Sequence, residues 1–333
     1  MQAVLRVLDQ FTPPRGRPVW ILLGLVIAFA LIDGGAGFFF QRSTLFSLTQ
    51  LFSTLGLVAL GLGFVMMLHE YDLSLAGSFA LAGIVGVLTG VDNPLLGVVC
   101  GVAVGAAAGL IQGCIVVWLR MSAVALTLGG LLLMLGITYV LAGGTTISYG
   151  NRAVTRWLQE TMLGGAISHR GMIVVGMYIL GALVFAYTRI GRDVIATGSN
   201  RAGAAVAGLN TNAILIGVLT AAGALSALAG VLLAYSLGAG SAFGLSDVLM
   251  GATAAAIIGG VSLGGGKGRP LGIAAGTLAL CLLRSGLSGF EADPSLLDSL
   301  TGLVLLLVAI ADGTLFRQRM LEWRRALFET RLS

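Results

Sequence analysis

Long apolar runs recur along nearly the whole chain, and they limit the possible folds more than any other feature. An α-helix needs about 20 apolar residues to cross the ~30 Å hydrocarbon core of a bilayer. On this basis we predict ten membrane spans, at 19–40, 45–68, 73–91, 95–118, 123–142, 171–188, 213–236, 247–263, 270–288 and 296–312. The sequence therefore predicts an all-α integral membrane protein, a polytopic helical bundle that forms a single domain over residues 1–333.

The third and eighth runs are short and rich in Gly and Ala. Broken or partly re-entrant helices are an alternative at these two places. A membrane tolerates such irregular backbone only where protein or a cavity covers it.

The composition excludes an ordinary soluble domain. Of the 333 residues, 57% are hydrophobic and 10% are charged, whereas about 25% of the residues in soluble domains are charged. The polar segments are all shorter than 30 residues, which is too short to fold alone. Any ATP hydrolysis is therefore expected from a partner subunit, and we expect no nucleic acid, cofactor or metal. The cysteines at 100, 114 and 281 lie inside apolar runs without CxxC spacing, which predicts packing roles.

The basic residues predict the orientation, because cytoplasmic loops of membrane proteins carry an excess of Lys and Arg. Ten spans place both termini on one side. With both termini in the cytoplasm, 14 of the 19 basic residues are cytoplasmic: Arg6, Arg15, Arg17, Arg120, Arg189, Arg192, Arg201, Lys267, Arg269, Arg317, Arg319, Arg324, Arg325 and Arg331. The first run resembles a signal peptide but lacks a clean cleavage site, so we expect an uncleaved first helix.

Five glycines repeat every four residues in the fourth span. They are Gly97, Gly101, Gly105, Gly109 and Gly113. Four residues turn a helix by about 400°, so the glycines form one narrow stripe. Such a stripe lets a neighbouring helix pack closely, and that neighbour is either in the same chain or in a second subunit.

A histidine and two acids lie between the second and third spans, in His69, Glu70 and Asp72, followed by Ser74. Ionisable groups at membrane depth are costly and often face a cavity, so these residues are candidates for a translocation path. The alternative is a short cytoplasmic turn in which Asp72 caps the next helix. An HExxH zinc site would need histidine at position 73, where the chain has leucine.

A glycine-rich stretch follows the eighth span. Its residues include Gly259, Gly260, Ser262, Gly265, Gly266, Gly268 and Arg269. The phosphate-binding pattern GxxxxGK[ST] fails, because Val261 and Gly268 occupy positions that need glycine and Ser or Thr. The stretch instead predicts a reversal between two close helices, with Pro270 starting the second helix.

The longest polar insert on the predicted cytoplasmic side is 189–212. Asn200 is a candidate N-cap for a helix from Arg201 to Gly208, with Gly208 ending it. So short a helix is marginal alone in water, which suggests docking against another protein; the alternative is an ordinary loop.

On the predicted outer side, residues 151–163 fit two interpretations equally well. One is an amphipathic interfacial helix with Val154, Trp157, Leu158 and Met162 on one face, and the other is a connecting loop.

Three of these stretches together resemble the membrane subunits of bacterial ABC importers for monosaccharides, the ribose, xylose, arabinose, galactose and autoinducer-2 permease group. The matching residues are Asp72-Leu73-Ser74, Gly198-x-Asn200 with Gly208-Leu209-Asn210, and Ala255-x-x-x-Gly259-Gly260-x-Ser262-Leu263-x-Gly265-Gly266-x-Gly268-Arg269-x-x-Gly272. The resemblance implies a multi-pass permease in the bacterial inner membrane. It implies three kinds of partner: ABC ATP-binding subunits, a second permease that is identical or homologous, and a periplasmic or surface solute-binding protein. It assigns coupling to the ATP-binding subunit to Gly198, Asn200, Arg201, Ala202, Gly208 and Leu209.

The chain departs from the pattern of this group at two places. His69, Glu70 and Tyr71 stand where members usually have two glycines and an aliphatic residue, which suggests an unusual solute if the region borders the path. Arg201 stands where members usually have an acidic residue, which suggests a matched acidic groove in the ATP-binding subunit or an asymmetric permease pair.

The residues bear on two alternatives to a sugar importer, and the resemblance leaves a third. A secondary transporter or channel needs ionisable groups inside its spans, and outside 69–72 the sequence has almost none. An intramembrane enzyme lacks a catalytic constellation, because the two histidines, His69 and His169, fall on opposite sides of the predicted topology. An ABC permease of the related branched-chain amino acid type remains a third possibility.

Overall fold

A computed structural model describes residues 17–32, 41–162, 165–241, 246–289, 299, 302–303 and 306. Most of these residues lie in helices, which we number in chain order. The helices are α1 (Arg17–Ile32), α2 (Arg42–Met67), α3 (Leu75–Thr89), α4 (Pro94–Leu119), α5 (Ala123–Ala142), α6 (Arg152–Gln159), α7 (His169–Tyr187), α8 (Arg189–Ser199), α9 (Arg201–Val206), α10 (Thr211–Leu237), α11 (Ser246–Ile258) and α12 (Pro270–Gly289). Four two-residue strands connect them: β1 (Ile147–Ser148), β2 (Thr161–Met162), β3 (Ile167–Ser168) and β4 (Ala239–Gly240).

Five helices of the described part are long and apolar enough to cross a membrane: α2, α4, α5, α7 and α10. Four shorter apolar helices, α1, α3, α11 and α12, coincide with the remaining predicted spans up to residue 288. The tenth predicted span, 296–312, lies largely outside the described residues, as do both termini. The described part of the chain is thus mostly helical, and its apolar helices are those expected of an integral membrane protein.

The two doubtful spans are continuous but short helices. With a rise of 1.5 Å per residue, the 15 residues of α3 and the 13 residues of α11 reach about 22 Å and 20 Å, less than the ~30 Å of a bilayer core. Protein covers both of them, since α3 is buried from Leu75 to Ile84 and most of α11 is buried as well.

Helix α10 lies at the centre of the bundle, where it packs against α2, α3 and α4. The glycine stripe of α4 faces it. A Cβ added at Gly105 would lie 2.5 Å from the carbonyl oxygen of Gly223, and one at Gly113 would lie 3.0 Å from Cα of Ile216. The neighbour that the stripe predicts is therefore α10 of the same chain, with α3 beside it at Gly101.

The helices alternate in direction, so their connections gather at two ends. At one end β1 pairs with β4, in the register Ile147 with Gly240. Tyr149 stacks on Tyr235 there, with ring centroids 4.3 Å apart, and its hydroxyl donates to the carbonyl oxygen of Gly90 at 2.9 Å. We call this the strand end.

The predicted amphipathic segment at the strand end is a helix, α6, rather than a loop. Asn151 caps it by accepting from the N–H of Val154 at 3.3 Å. The helix stops at Gln159, so Met162, which the sequence placed on the same helical face, lies in β2 instead. Trp157 stacks on His169 with ring centroids 4.4 Å apart.

Candidate functional site

Three segments that the sequence singled out meet at the other end of the bundle. They are residues 67–74, 198–201 and 262–268, which we call the junction. The N–H of Gly266 donates to the carbonyl oxygen of Met67 at 2.8 Å, and the hydroxyl of Ser199 donates to the carbonyl oxygen of Gly266 at 3.5 Å. The end of α2, the end of α8 and the loop between α11 and α12 are thereby held together.

Glycine is required where these backbones touch. A Cβ at Gly198 would collide with the carbonyl oxygen of Met67, and one at Gly265 would lie 2.8 Å from the carbonyl oxygen of Gly198. Gly265 and Gly266 also have φ of +73° and +67°, a backbone region that L side chains rarely adopt. The glycine-rich stretch is thus a helix reversal, as predicted, and it also forms the surface on which α8 ends.

The reversal begins and ends close to helix termini. Gly259 follows α11 directly, and a Cβ there would lie 2.7 Å from the carbonyl oxygen of Gly272 in α12. The carbonyl oxygen of Arg269 accepts from the N–H of Ile273 at 3.0 Å, which closes the first turn of α12. The N–H of Ser262 donates to the carbonyl oxygen of Lys267 at 3.2 Å across the loop.

His69 occupies a backbone position that usually belongs to glycine. Its φ is +62°, and His69 and Arg120 are the non-glycine residues with positive φ in the described part of the chain. The ring Nδ1 of His69 donates to the carbonyl oxygen of Gly264 at 2.9 Å. This contact ties the turn after α2 to the glycine-rich loop and helps to hold the strained residue.

Asp72 is buried in the same turn, with 1% of its surface exposed. Its Oδ1 accepts from the N–H of Ser74 at 2.8 Å and from the Ser74 hydroxyl at 2.6 Å. Burial raises the pKa of the Asp72 carboxyl to about 6, against the hydrogen bonds from Ser74, which lower it. These contacts favour the turn interpretation of the Asp-x-Ser motif, because both groups are engaged with each other just before α3. The predicted capping of α3 by Asp72 is wrong, since Ser74 is the N-cap and no side chain caps this helix.

Glu70 and Arg201 form an ion pair, with 3.3 Å between Oε1 and Nη1. Burial raises the pKa of the Glu70 carboxyl, although Arg201 and His69 act to lower it. The sequence made Glu70 a candidate for either a translocation path or a cytoplasmic turn. It suggested for Arg201 either an acidic groove in the ATP-binding subunit or an asymmetric permease pair. The structure gives each residue a partner in the same chain, at the two places where the chain departs from the pattern of the group it resembles.

Helix α9 protrudes from the junction. Asn200 caps it by accepting from the N–H of Gly203 at 2.9 Å, and the chain leaves it through Gly208, whose φ is +87°. The predicted helix is thus confirmed, although it ends at Val206 rather than at Gly208. Of residues 201–208, seven are exposed and Ala204 is buried. Val206 presents an apolar side chain that is 91% exposed.

The local sequence pattern gave no sign of two further contacts. The hydroxyl of Tyr71 shares a hydrogen bond with that of Thr253 in α11, at 2.5 Å. The N–H of Leu73 donates to the hydroxyl of Thr127 in α5, at 3.1 Å. Their partners lie 182 and 54 residues away in the chain, so no short motif includes both sides.

Comparison with known proteins gives relatives over most of the chain. It is 30% identical over 303 residues to the ribose import permease protein RbsC of Escherichia coli strain K12, covering 88% of this chain and 92% of the relative. It is 32% identical over 318 residues to the autoinducer 2 import system permease protein LsrC of Yersinia enterocolitica, covering 93% and 87%. It is 29% identical over 322 residues to the fructose import permease protein FrcC of Rhizobium meliloti, covering 93% and 89%. No solved structure matches the chain significantly.

A family model matches residues 44–309, a range that begins in α2 and includes the junction, the glycine stripe and the strand end. The family is described as the permease component of a transport system, which agrees with the apolar helical bundle. The chain therefore belongs to the family described as the permease component of branched-chain amino acid transport systems.

Proposed function

We propose that the chain is a permease subunit of an ATP-driven importer in the bacterial inner membrane, and that its solute is a monosaccharide or a similar polyhydroxylated molecule. Relatives that match most of the chain are named as import permeases for ribose, fructose and autoinducer 2. The family description names branched-chain amino acids, so the class of solute is the first point to test.

The observation that carries this proposal is the form of α9. A six-residue helix with one buried residue has little stability of its own, yet this one has a side-chain cap and lies on a glycine-packed junction. Such a helix suits docking in a groove of another protein. In this proposal the chain supplies the transport path and a partner subunit hydrolyses ATP. The motion of that subunit reaches the helices through α9 as a hinge-type displacement.

The finer topology belongs to the same proposal. Ten spans with both termini in the cytoplasm put the junction on the cytoplasmic side, where an ATP-binding subunit is accessible. The described basic residues near the junction include Arg120, Arg189, Arg192, Lys267 and Arg269, in keeping with the excess of positive charge on cytoplasmic loops. The strand end then faces a solute-binding protein, and a second permease completes the path.

Docking is tested by co-purification of the ATP-binding subunit with a tagged chain. Val206→Glu places a charge on the exposed apolar surface of α9 and is expected to abolish co-purification without changing folding, because Val206 packs against little in this chain. Val206→Leu keeps the surface apolar and serves as the control. If the Glu variant retains the partner as well as the unmodified chain does, α9 is not the docking element.

The class of solute is tested on the solute-binding protein of the same system. A thermal-shift screen against D-ribose, D-fructose, polyols and L-leucine separates a sugar system from an amino acid system. Stabilisation by leucine alone contradicts the sugar proposal. Uptake into proteoliposomes that continues without ATP contradicts the ATP-driven mechanism and favours a secondary transporter.

A further inference from the structure

The turn at residues 69–73 contacts more elements than its length suggests. His69 reaches the loop between α11 and α12, Tyr71 reaches α11, and Leu73 reaches α5. The Asp72 side chain fixes the start of α3 within the same turn. A displacement of this turn therefore acts on three other parts of the bundle at once.

The Glu70–Arg201 pair joins α9 to that turn. Among the described residues, the hydrogen bonds and ion pairs between α9 and residues 69–73 consist of this one pair. Its groups are partly exposed, at 43% for the Arg201 side chain and 21% for that of Glu70. Exposed ion pairs contribute little to folding stability, so stability alone does not explain a link at this place.

We propose that the Glu70–Arg201 pair transmits the displacement of α9 to the turn, from which it reaches α11 through Tyr71 and α5 through Leu73. This inference rests on the proposed function, since it needs an ATP-binding subunit that moves α9. In this proposal Arg201 and Glu70 are positioning residues, because they act through their contact with each other. In this proposal Arg201 pairs with Glu70 of its own chain, and not with an acidic groove of the ATP-binding subunit.

The test is hydrogen exchange on the complete complex in lipid nanodiscs, with and without ATP and orthovanadate. The variants are Glu70→Gln, Arg201→Gln and the double substitution. Arg192→Gln is the matched control, because it removes a positive charge from the neighbouring helix α8 at a residue that has no ion pair in the described structure. Exchange is read in peptides that cover 201–208, 69–73 and 253–268, since exchange reports local opening.

In the unmodified complex, nucleotide is expected to change exchange in all three regions. Each single variant should keep the nucleotide-dependent change in exchange at 201–208. At 69–73 and 253–268, the effect of nucleotide on the opening equilibrium should be roughly 2- to 30-fold smaller, the range typical of residues that couple two sites. The double variant should behave like either single variant, because residues acting through one contact are not additive. Arg192→Gln should behave like the unmodified chain.

Several results would overturn the inference. The pair is excluded as the link if exchange at 69–73 and 253–268 responds to nucleotide as strongly in the variants as in the unmodified chain. A nucleotide effect confined to 201–208 in the unmodified complex excludes the route itself. Loss of the ATP-binding subunit from the single variants would assign the pair to docking instead. Failure of the unmodified chain to bind that subunit refutes the proposed function, and the inference falls with it.

Discussion

Asp72 is a buried carboxyl outside the membrane spans, in the turn between α2 and α3. Because burial raises the pKa of its carboxyl from 3.8 to about 6, the folded chain binds more protons than the unfolded chain between those values. Folding stability therefore falls as pH rises through this window and stays lower above it, by at most ~3 kcal/mol.

Asp72→Asn tests this pH dependence directly. The amide oxygen still accepts from Ser74, but the group no longer titrates. We expect the melting temperature of the purified chain in detergent to fall less between about pH 4 and pH 6 in the variant than in the unmodified chain. Asp92→Asn, at an exposed carboxyl in the α3–α4 connection, is the control and should keep the original slope. Equal slopes in all three proteins would show that Asp72 does not dominate the pH response.

At the scale of elements, the sequence predicted helices well and their neighbours poorly. The span predicted at 123–142 has the same bounds as α5, because the bilayer sets how long an apolar run must be. The glycine stripe predicted a close neighbour but did not identify α10, since small residues show that a helix packs closely and not which helix it packs against. Strands β1 and β4 escaped prediction because two-residue pairs have no periodicity.

In the candidate site too, the sequence predicted local features but not the contacts between distant residues. The cap at Asn200 and the turn at Gly208 follow from local chemistry, and the sequence revealed both. The contact between Glu70 and Arg201 joins residues 131 positions apart. Each side chain alone suggested a function outside the chain, and only the fold shows that they meet.

The α4–α10 contact yields a prediction about one element pair. Gly105→Leu inserts a side chain where a Cβ already lies 2.5 Å from a backbone oxygen of α10. We expect a loss of ~1–3 kcal/mol or more, as in other overpacked cores, seen as a lower melting temperature and aggregation in size-exclusion chromatography. Gly129→Leu in α5 is the matched control, because a Cβ there has nothing within 4 Å. If both variants behave alike, the stripe does not determine packing.

In the described part of the molecule, the junction forms one end and the short strands with the stacked tyrosines form the other. The glycines of the junction allow α8 to rest directly on the last carbonyl group of α2. Helix α2 is largely buried and packs against α10, α11 and α12. We therefore expect a movement of the α8–α9 segment to reach the core of the bundle and not only its surface.

Gly198→Ala tests that connection with a single methyl group. The added Cβ would collide with the carbonyl oxygen of Met67, and backbone atoms cannot move aside as a flexible side chain does. The expected separation of α8 from α2 costs ~1–3 kcal/mol, which corresponds to roughly a 5- to 150-fold change in a coupled equilibrium. We expect the ATP-binding subunit still to co-purify through α9, while uptake of the sugar identified by the binding-protein screen falls within that range. Gly217→Ala in α10, where a Cβ has nothing within 4 Å, should transport normally. Normal uptake by Gly198→Ala would mean that force reaches the bundle by a route other than the contact between α8 and α2.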